Sequence, residues 1–441
     1  MPIFCFCWFL LLYSSAFIWA KNKDFFSPVR FVATKYALLN LCFILFVCIY
    51  PSGFYKQILT VCNVTLDQAF LQYTIVQTVA FISLMAGITL FSKKQENVSP
   101  QINQYNYRWL KNLSVIFFAI GCTVYGIFLN RIGGLVFLLT HLNKRIQLQG
   151  NQYILNLLPL LVISCIMLLL CIKLKNKVID KVLLVLFSLA TLAIFTSFGS
   201  RESSLIFIIT LIVAANYIIR QFRLDFKNLA VLGVLGFSLF FYIIIIPVIR
   251  SKSELEQNPS TKVVMRNFVY NISYTYIDVF AANYYNRDNA WYLDGFFDPV
   301  TALFADNDKS MIPQVDQGVY FNSIVILQKD LRPPLPRKQL STTSWPTENF
   351  GFAYANFLLP GIVVFFFLQG MVFSYTYRAL KNDIYNPLLV VVYVLVIFTF
   401  NFSSLRLAGF IKTLPLIYLA YIMFNRFVKS KSFKNSIKIN I

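Results

Sequence analysis

The residues able to do chemistry in this chain are few, and they stand at the ends of apolar runs. In FTSFGSRESSLIF, residues 195–207, Arg201 and Glu202 separate two stretches apolar enough for a bilayer. Ser200 suits the N-cap of the helix beginning near Ser203, and Glu202 suits the positive end of its dipole. Free N–H groups at such a start, joined by a guanidinium fork, bind phosphate oxygens. A snorkelling arginine beside a capping turn is the plainer reading. Arg250 closes the run IIIIPVIR, where Pro247 predicts a kink. Arg266 follows in an amphipathic stretch, and Arg131 (LNRIGG) and Arg145 (NKRIQLQG) lie in an earlier loop. Singly each suits solvent or a lipid headgroup. Together they are cations suited to a diphosphate.

The only histidine, His141, reads as a surface residue or as a base. One histidine cannot build a histidine-rich metal centre. Asp306 and Asp308 in ADNDK read as a solvated turn, so no metal and no cofactor is expected. The eight cysteines lack a CxxC pair and mostly lie in apolar runs, which argues against a zinc site or disulfide framework. The stretch 267–297 is rich in aromatics, Trp291 and Tyr292 among them. Such rings stack on sugars, and they equally form an interfacial belt.

These residues must be positioned by membrane helices. The chain is 58% hydrophobic and only 13% charged, against about 25% charged in soluble domains. Apolar runs long enough to cross about 30 Å of hydrocarbon recur along it. They are continuous rather than alternating, which excludes an outer-membrane barrel. Eleven spans are expected, at 3–20, 31–50, 69–91, 113–129, 153–172, 182–198, 204–219, 229–249, 353–377, 387–402 and 408–424. The first is read as a retained span, since its basic residues follow it.

Connections on one side carry 21 Lys and Arg, against six in the short connections opposite. That asymmetry predicts an outer N-terminus and a cytoplasmic C-terminus. It also explains the net charge of +21 as attraction to anionic membrane lipids, not nucleic acid. The expected organisation is helices with short loops over 1–249, an outer loop over 250–352, helices over 353–424, and a basic tail over 425–441. The large loop has ten Lys/Arg and eleven Asp/Glu. Helical periodicity over 262–285 predicts short amphipathic helices along the outer surface.

Where that loop meets the next span stands STTSWPTENFGFAYANFLLPGIVVFFFLQG, residues 341–370. The stretch resembles the Wzy-type O-antigen polymerases, in which a Pro/Thr/Glu loop end leads into a Tyr-x-Asn-Phe segment, a glycine and a long span. The matching residues are Pro346, Thr347, Glu348, Tyr354, Asn356, Phe357 and Gly361. GSRES is similar to the family's Gly-Ser-Arg turn. The resemblance implies an all-α, GT-C-like glycosyltransferase of about eleven helices in the bacterial inner membrane. It would act in lipopolysaccharide biosynthesis. A growing glycan would pass from undecaprenyl diphosphate to the non-reducing end of another lipid-linked repeat unit. Donor and acceptor lipids, and a chain-length regulator, are the implied partners.

Within that reaction, Arg201 and Arg250 would steady charge on the departing diphosphate, with Arg266, Arg145 and Arg131 beside them. Glu348 is the first candidate base for the acceptor hydroxyl, Glu202 the second and His141 the third. Tyr354, Asn356, Trp291 and Tyr292 would bind substrate. Two alternatives remain: an O-antigen ligase, disfavoured by the lack of a histidine in the large loop, and a lipid-linked oligosaccharide flippase or transporter.

Overall fold

The computed structural model describes residues 1–20, 24–49, 55–92, 105–140, 153–198, 201–219, 274–304 and 311–429. Among them the chain is helical and forms no strand. In chain order the helices are α1 Pro2–Trp19, α2 Pro28–Ile49, α3 Tyr55–Cys62, α4 Leu66–Leu90, α5 Tyr107–Ile132, α6 Leu135–Thr140, α7 Ile154–Lys175, α8 Val178–Ser197 and α9 Arg201–Ala214. A π turn, Ala215–Ile219, prolongs α9. Then follow α10 Thr275–Tyr284, α11 Asp298–Thr301, α12 Gln317–Leu327, α13 Asn349–Asn382, α14 Pro387–Thr399 and α15 Ser404–Phe427.

Nine of these, namely α1, α2, α4, α5, α7, α8, α9, α13 and α15, are long and apolar enough to cross a membrane. They coincide with nine expected spans. The protein is a multi-pass helical membrane protein. The expected span 387–402 appears as the 13-residue α14. The expected span 229–249 lies outside the described residues. Large apolar side chains stand exposed along α1 and α8, including Leu11, Ile18, Val185 and Leu189, the pattern of faces turned to lipid.

Local chemistry sets the helix ends. Thr65 and Gln68 cap α4 reciprocally, at 3.3 Å to the Gln68 N–H and 2.9 Å from the Thr65 N–H. Asn106 accepts the N–H groups of Arg108 and Trp109 at the start of α5. Gly133, at φ 95°, stops α5 in the left-handed conformation that glycine adopts freely.

The chain divides into two compact units. The first takes Met1–Lys94, Ser260–Tyr377 and Thr399–Lys412. The second takes Gln95–Pro259, Arg378–Phe398 and Thr413–Ile441. Within unit two, α7 is buried nearly all round and packs against α5, where Gly121 lies against Leu161. The Ser114 hydroxyl donates to the Ser164 carbonyl at 2.9 Å across that contact. Lys111 pairs with the fully buried Asp180 at 3.0 Å, and the Tyr107 hydroxyl donates to the same carboxylate at 2.7 Å.

Unit one departs from the simple plan of upright spans joined by surface loops. Within α13, Leu358 has φ 52° and ψ −141°, two residues before Pro360. Proline removes a helical N–H and crowds the preceding turn, so the helix breaks there. The break reverses the chain. Asn349 reaches Gln369 at 3.2 Å, and the ring of Phe350 meets that of Phe366 and that of Phe352 meets Phe365. Each pair sums to nearly the same number, the signature of two antiparallel arms. A Cβ on Gly361 would lie 2.3 Å from the Ala353 carbonyl, so glycine permits the arms to close. The returning arm then meets α4, where Gly87 and Gly370 let the backbones approach.

The helix α10 also stands differently from the expected surface-lying helix. Asn283 donates to the Ala69 carbonyl at 3.0 Å, near the start of α4. Eight residues earlier, Thr275 donates to Asn40 of α2 at 2.9 Å. Thus α10 runs upright and antiparallel to α4. Its apolar face (Ile277, Phe280, Ala281) is buried against neighbouring helices rather than laid on a headgroup layer.

Candidate functional site

The reversal in α13 carries Glu348 inward. Its backbone carbonyl accepts the Phe352 N–H at 3.1 Å, so Glu348 caps the outgoing arm. The tip of that arm lies some nine residues on, and at 1.5 Å per residue Glu348 sits about 13 Å below it. There it lines a cavity of about 40 Å³ in unit one.

Five chain segments build the cavity. From α2 come Lys35, Tyr36 and Asn40 on one helical face, and from α4 comes Gln77. From α10 come Thr275 and Asp278, and from the two arms come Glu348, Asn349, Phe366 and Gln369. Asn40 and Gln77 fall near the middle of α2 and α4. The site therefore lies at mid-depth of those spans, where polar side chains are costly and mark function.

Most of the amides are tied to protein partners. Asn40 donates to the Tyr13 hydroxyl at 2.7 Å and accepts from Thr275. Gln369 accepts from Asn349 and donates to the Phe400 carbonyl at 2.8 Å. Asn349 in turn accepts the Phe402 N–H at 3.4 Å. Gln77 differs: it is 1% exposed and its Nε2 has no hydrogen-bond partner, although the Tyr13 hydroxyl lies beside it. Leaving such a donor unpaired costs about 1–3 kcal/mol.

The two carboxylates are the unusual groups. Both are half-buried, with their accessible surface in the cavity. Among the described residues no hydrogen bond or ion pair engages either one. Burial raises the Asp278 pKa well above the usual carboxylate range, and the nearby Glu348 charge pushes it the same way. A water entering here would meet carboxyl oxygens that no described residue bonds. Among the described residues no group of three His, Cys, Asp or Glu is gathered to hold a metal ion.

The other predicted site residues scatter. Tyr354 is buried, stacks on Phe350 and accepts from Gln72 at 3.3 Å. Asn356 is fully buried and donates to the Phe352 carbonyl at 2.9 Å, with its Oδ1 unpartnered. Trp291 is 1% exposed and enclosed by Tyr285, Tyr320 and Phe321; its backbone N–H donates to the Ala355 carbonyl, while its indole N–H has no partner. In this structure it is a core residue rather than an open sugar platform. Tyr292 beside it is exposed, at φ 50°, and its hydroxyl donates to the Arg287 carbonyl.

Glu202 stands half-buried in the first turn of α9, and Arg131 is exposed in the last turn of α5. Of Arg201 only the backbone is described, at the first residue of α9. Arg145, Arg250, Arg266 and His141 lie outside the described residues, as does Ser200.

Of the residues lining this cavity, sequence reasoning singled out Glu348 and not Asp278, Lys35 or Gln77. The available signal was a set of polar side chains, Asn40, Gln77 and Gln369, in the middle of apolar spans. Compared with known proteins, the chain matches no family model, no curated protein and no solved structure.

Proposed function

We propose that the protein is a membrane glycosyltransferase that polymerises lipid-linked oligosaccharide repeat units. The growing glycan passes from undecaprenyl diphosphate to the non-reducing end of a second lipid-linked unit, at the outer face of the bacterial inner membrane. The observation that carries this reading is the position of Glu348. The one carboxylate in the polymerase-like PTENFGFAYANF stretch lines a polar cavity and is unmatched by any described partner. A carboxylate left unmatched can take the acceptor's proton as the sugar bond forms. Arginines Arg201 and Arg250 are assigned the departing diphosphate on their sequence context alone.

A second reading, transport of a lipid-linked oligosaccharide, draws on a different observation. A polar cavity at mid-depth, lined by the two arms of a broken helix, resembles the sites transporters use for substrates and coupling ions. Deleting the gene and resolving the surface polysaccharide by electrophoresis separates the two. A core bearing a single repeat unit supports the polymerase. A bare core supports transport or ligation and overturns it.

A further inference from the structure

We propose that Asp278 and Glu348 form a dyad that holds a single proton in the unit-one cavity, making it a proton-binding site rather than a metal-ion site. The proposal stands on the cavity and goes beyond the transferase reading. Asp278 and Glu348 line the same space of about 40 Å³, which has room for a few waters. Two like charges confined in such a space do not both ionise freely.

The remaining lining argues for a proton over a metal ion. Hard cations need six or more oxygen ligands, or several retained waters. The amide oxygens of Asn40, Asn349 and Gln369 already accept hydrogen bonds from Thr275, the Phe402 N–H and Asn349. Gln77 contributes an unpartnered N–H, which seeks an acceptor and repels a cation. A carboxylate sharing one proton with its neighbour supplies that acceptor, directly or through a water.

Other groups face the dyad. Lys35 and Tyr36 come from α2, Tyr13 from α1, Tyr73 from α4 and Tyr274 from the start of α10. The tyrosines bring hydroxyl groups. Lys35 is the one cation among them, and it cannot neutralise two carboxylates. Desolvation and the Glu348 charge both favour the protonated form of Asp278.

The test is infrared difference spectroscopy on the full-length protein in lipid vesicles, native against Asp278→Asn, read at the carbonyl stretch of a protonated carboxyl group. Other buried acids, such as Asp298 and Asp316, are present in both samples and cancel. At pH 7 the native protein is expected to show a band that the variant lacks and that fades as pH rises. Glu348→Gln removes the like charge, so the same band should fade at lower pH. Sodium and calcium ions at constant pH should leave the band intact. No difference band at pH 7 overturns the proposal. So does a band that sodium or calcium removes, or a titration that Glu348→Gln leaves unmoved. Should Asp278→Asn fail to fold, the Glu348→Gln titration reads the same coupling.

Discussion

Two acidic sites, one in each unit, are handled in opposite ways. In unit two, Asp180 is fully buried, paired with Lys111 at 3.0 Å and bonded by the Tyr107 hydroxyl at 2.7 Å. The rings and cations nearby extend the match, with Lys175 and Lys177 over the Tyr107 ring. In unit one, Asp278 and Glu348 share a cavity, and no described residue bonds to either carboxylate. A matched buried charge is an architectural element, sensitive to loss of its partner. An unmatched one is costly to keep and is retained where chemistry needs it.

Substitutions sharpen that contrast. The largest effect is expected from Glu348→Gln, which should slow glycan transfer about 100-fold or more while leaving the unfolding midpoint unchanged. Polymer length on gels, beside thermal unfolding of the purified protein, checks both halves. In unit two the ranking reverses. Lys111→Met leaves Asp180 buried without its cation and should cost about 2–3 kcal/mol, below the value for a fully enclosed pair because Lys111 keeps a quarter of its surface exposed. Activity per folded molecule should stay near native, and Asp180→Leu added to Lys111→Met should restore most of the loss.

Packing variants come next. Gly87→Ala places a Cβ 2.2 Å from the Phe367 carbonyl and should cost about 2 kcal/mol, measured by denaturant or heat. Tyr107→Phe removes one hydrogen bond to Asp180 and should cost about 1.5 kcal/mol.

A further effect is expected from pH. Burial raises Asp298 to about 7, and its Oδ2 has no partner. A carboxyl raised in the folded state contributes full stability below its unfolded pKa of about 4 and loses it as pH climbs through 7. The unfolding temperature should therefore fall between pH 5 and pH 8, and Asp298→Asn should flatten that slope.

Much of the architecture was legible in the sequence. Runs such as 153–172 are continuous and apolar, and only a helix can carry a backbone through hydrocarbon. The hairpin in α13 was not legible, because Phe350, Phe352, Phe365 and Phe366 read as one apolar stretch whichever way the chain runs. Only Pro360 and the strained Leu358 distinguish the break, and the strain is visible in three dimensions alone. Asp278 was hidden for a similar reason. Spaced among Tyr276, Ile277 and Phe280, it reads as the polar face of a surface helix. Pairing of Asn283 with Ala69 and of Thr275 with Asn40 turns that face toward a cavity. Glu348 was singled out because it stands where the large loop returns to the membrane, and Trp291, expected to stack on sugars, packs in the core.

The most direct measurement is single-turnover transfer by the purified protein in lipid, using lipid-linked repeat units as donor and acceptor, with native protein and Glu348→Gln compared. The account predicts product from the native protein and almost none from the variant, with donor binding and unfolding midpoint retained in both. Equal rates from the two proteins would contradict it.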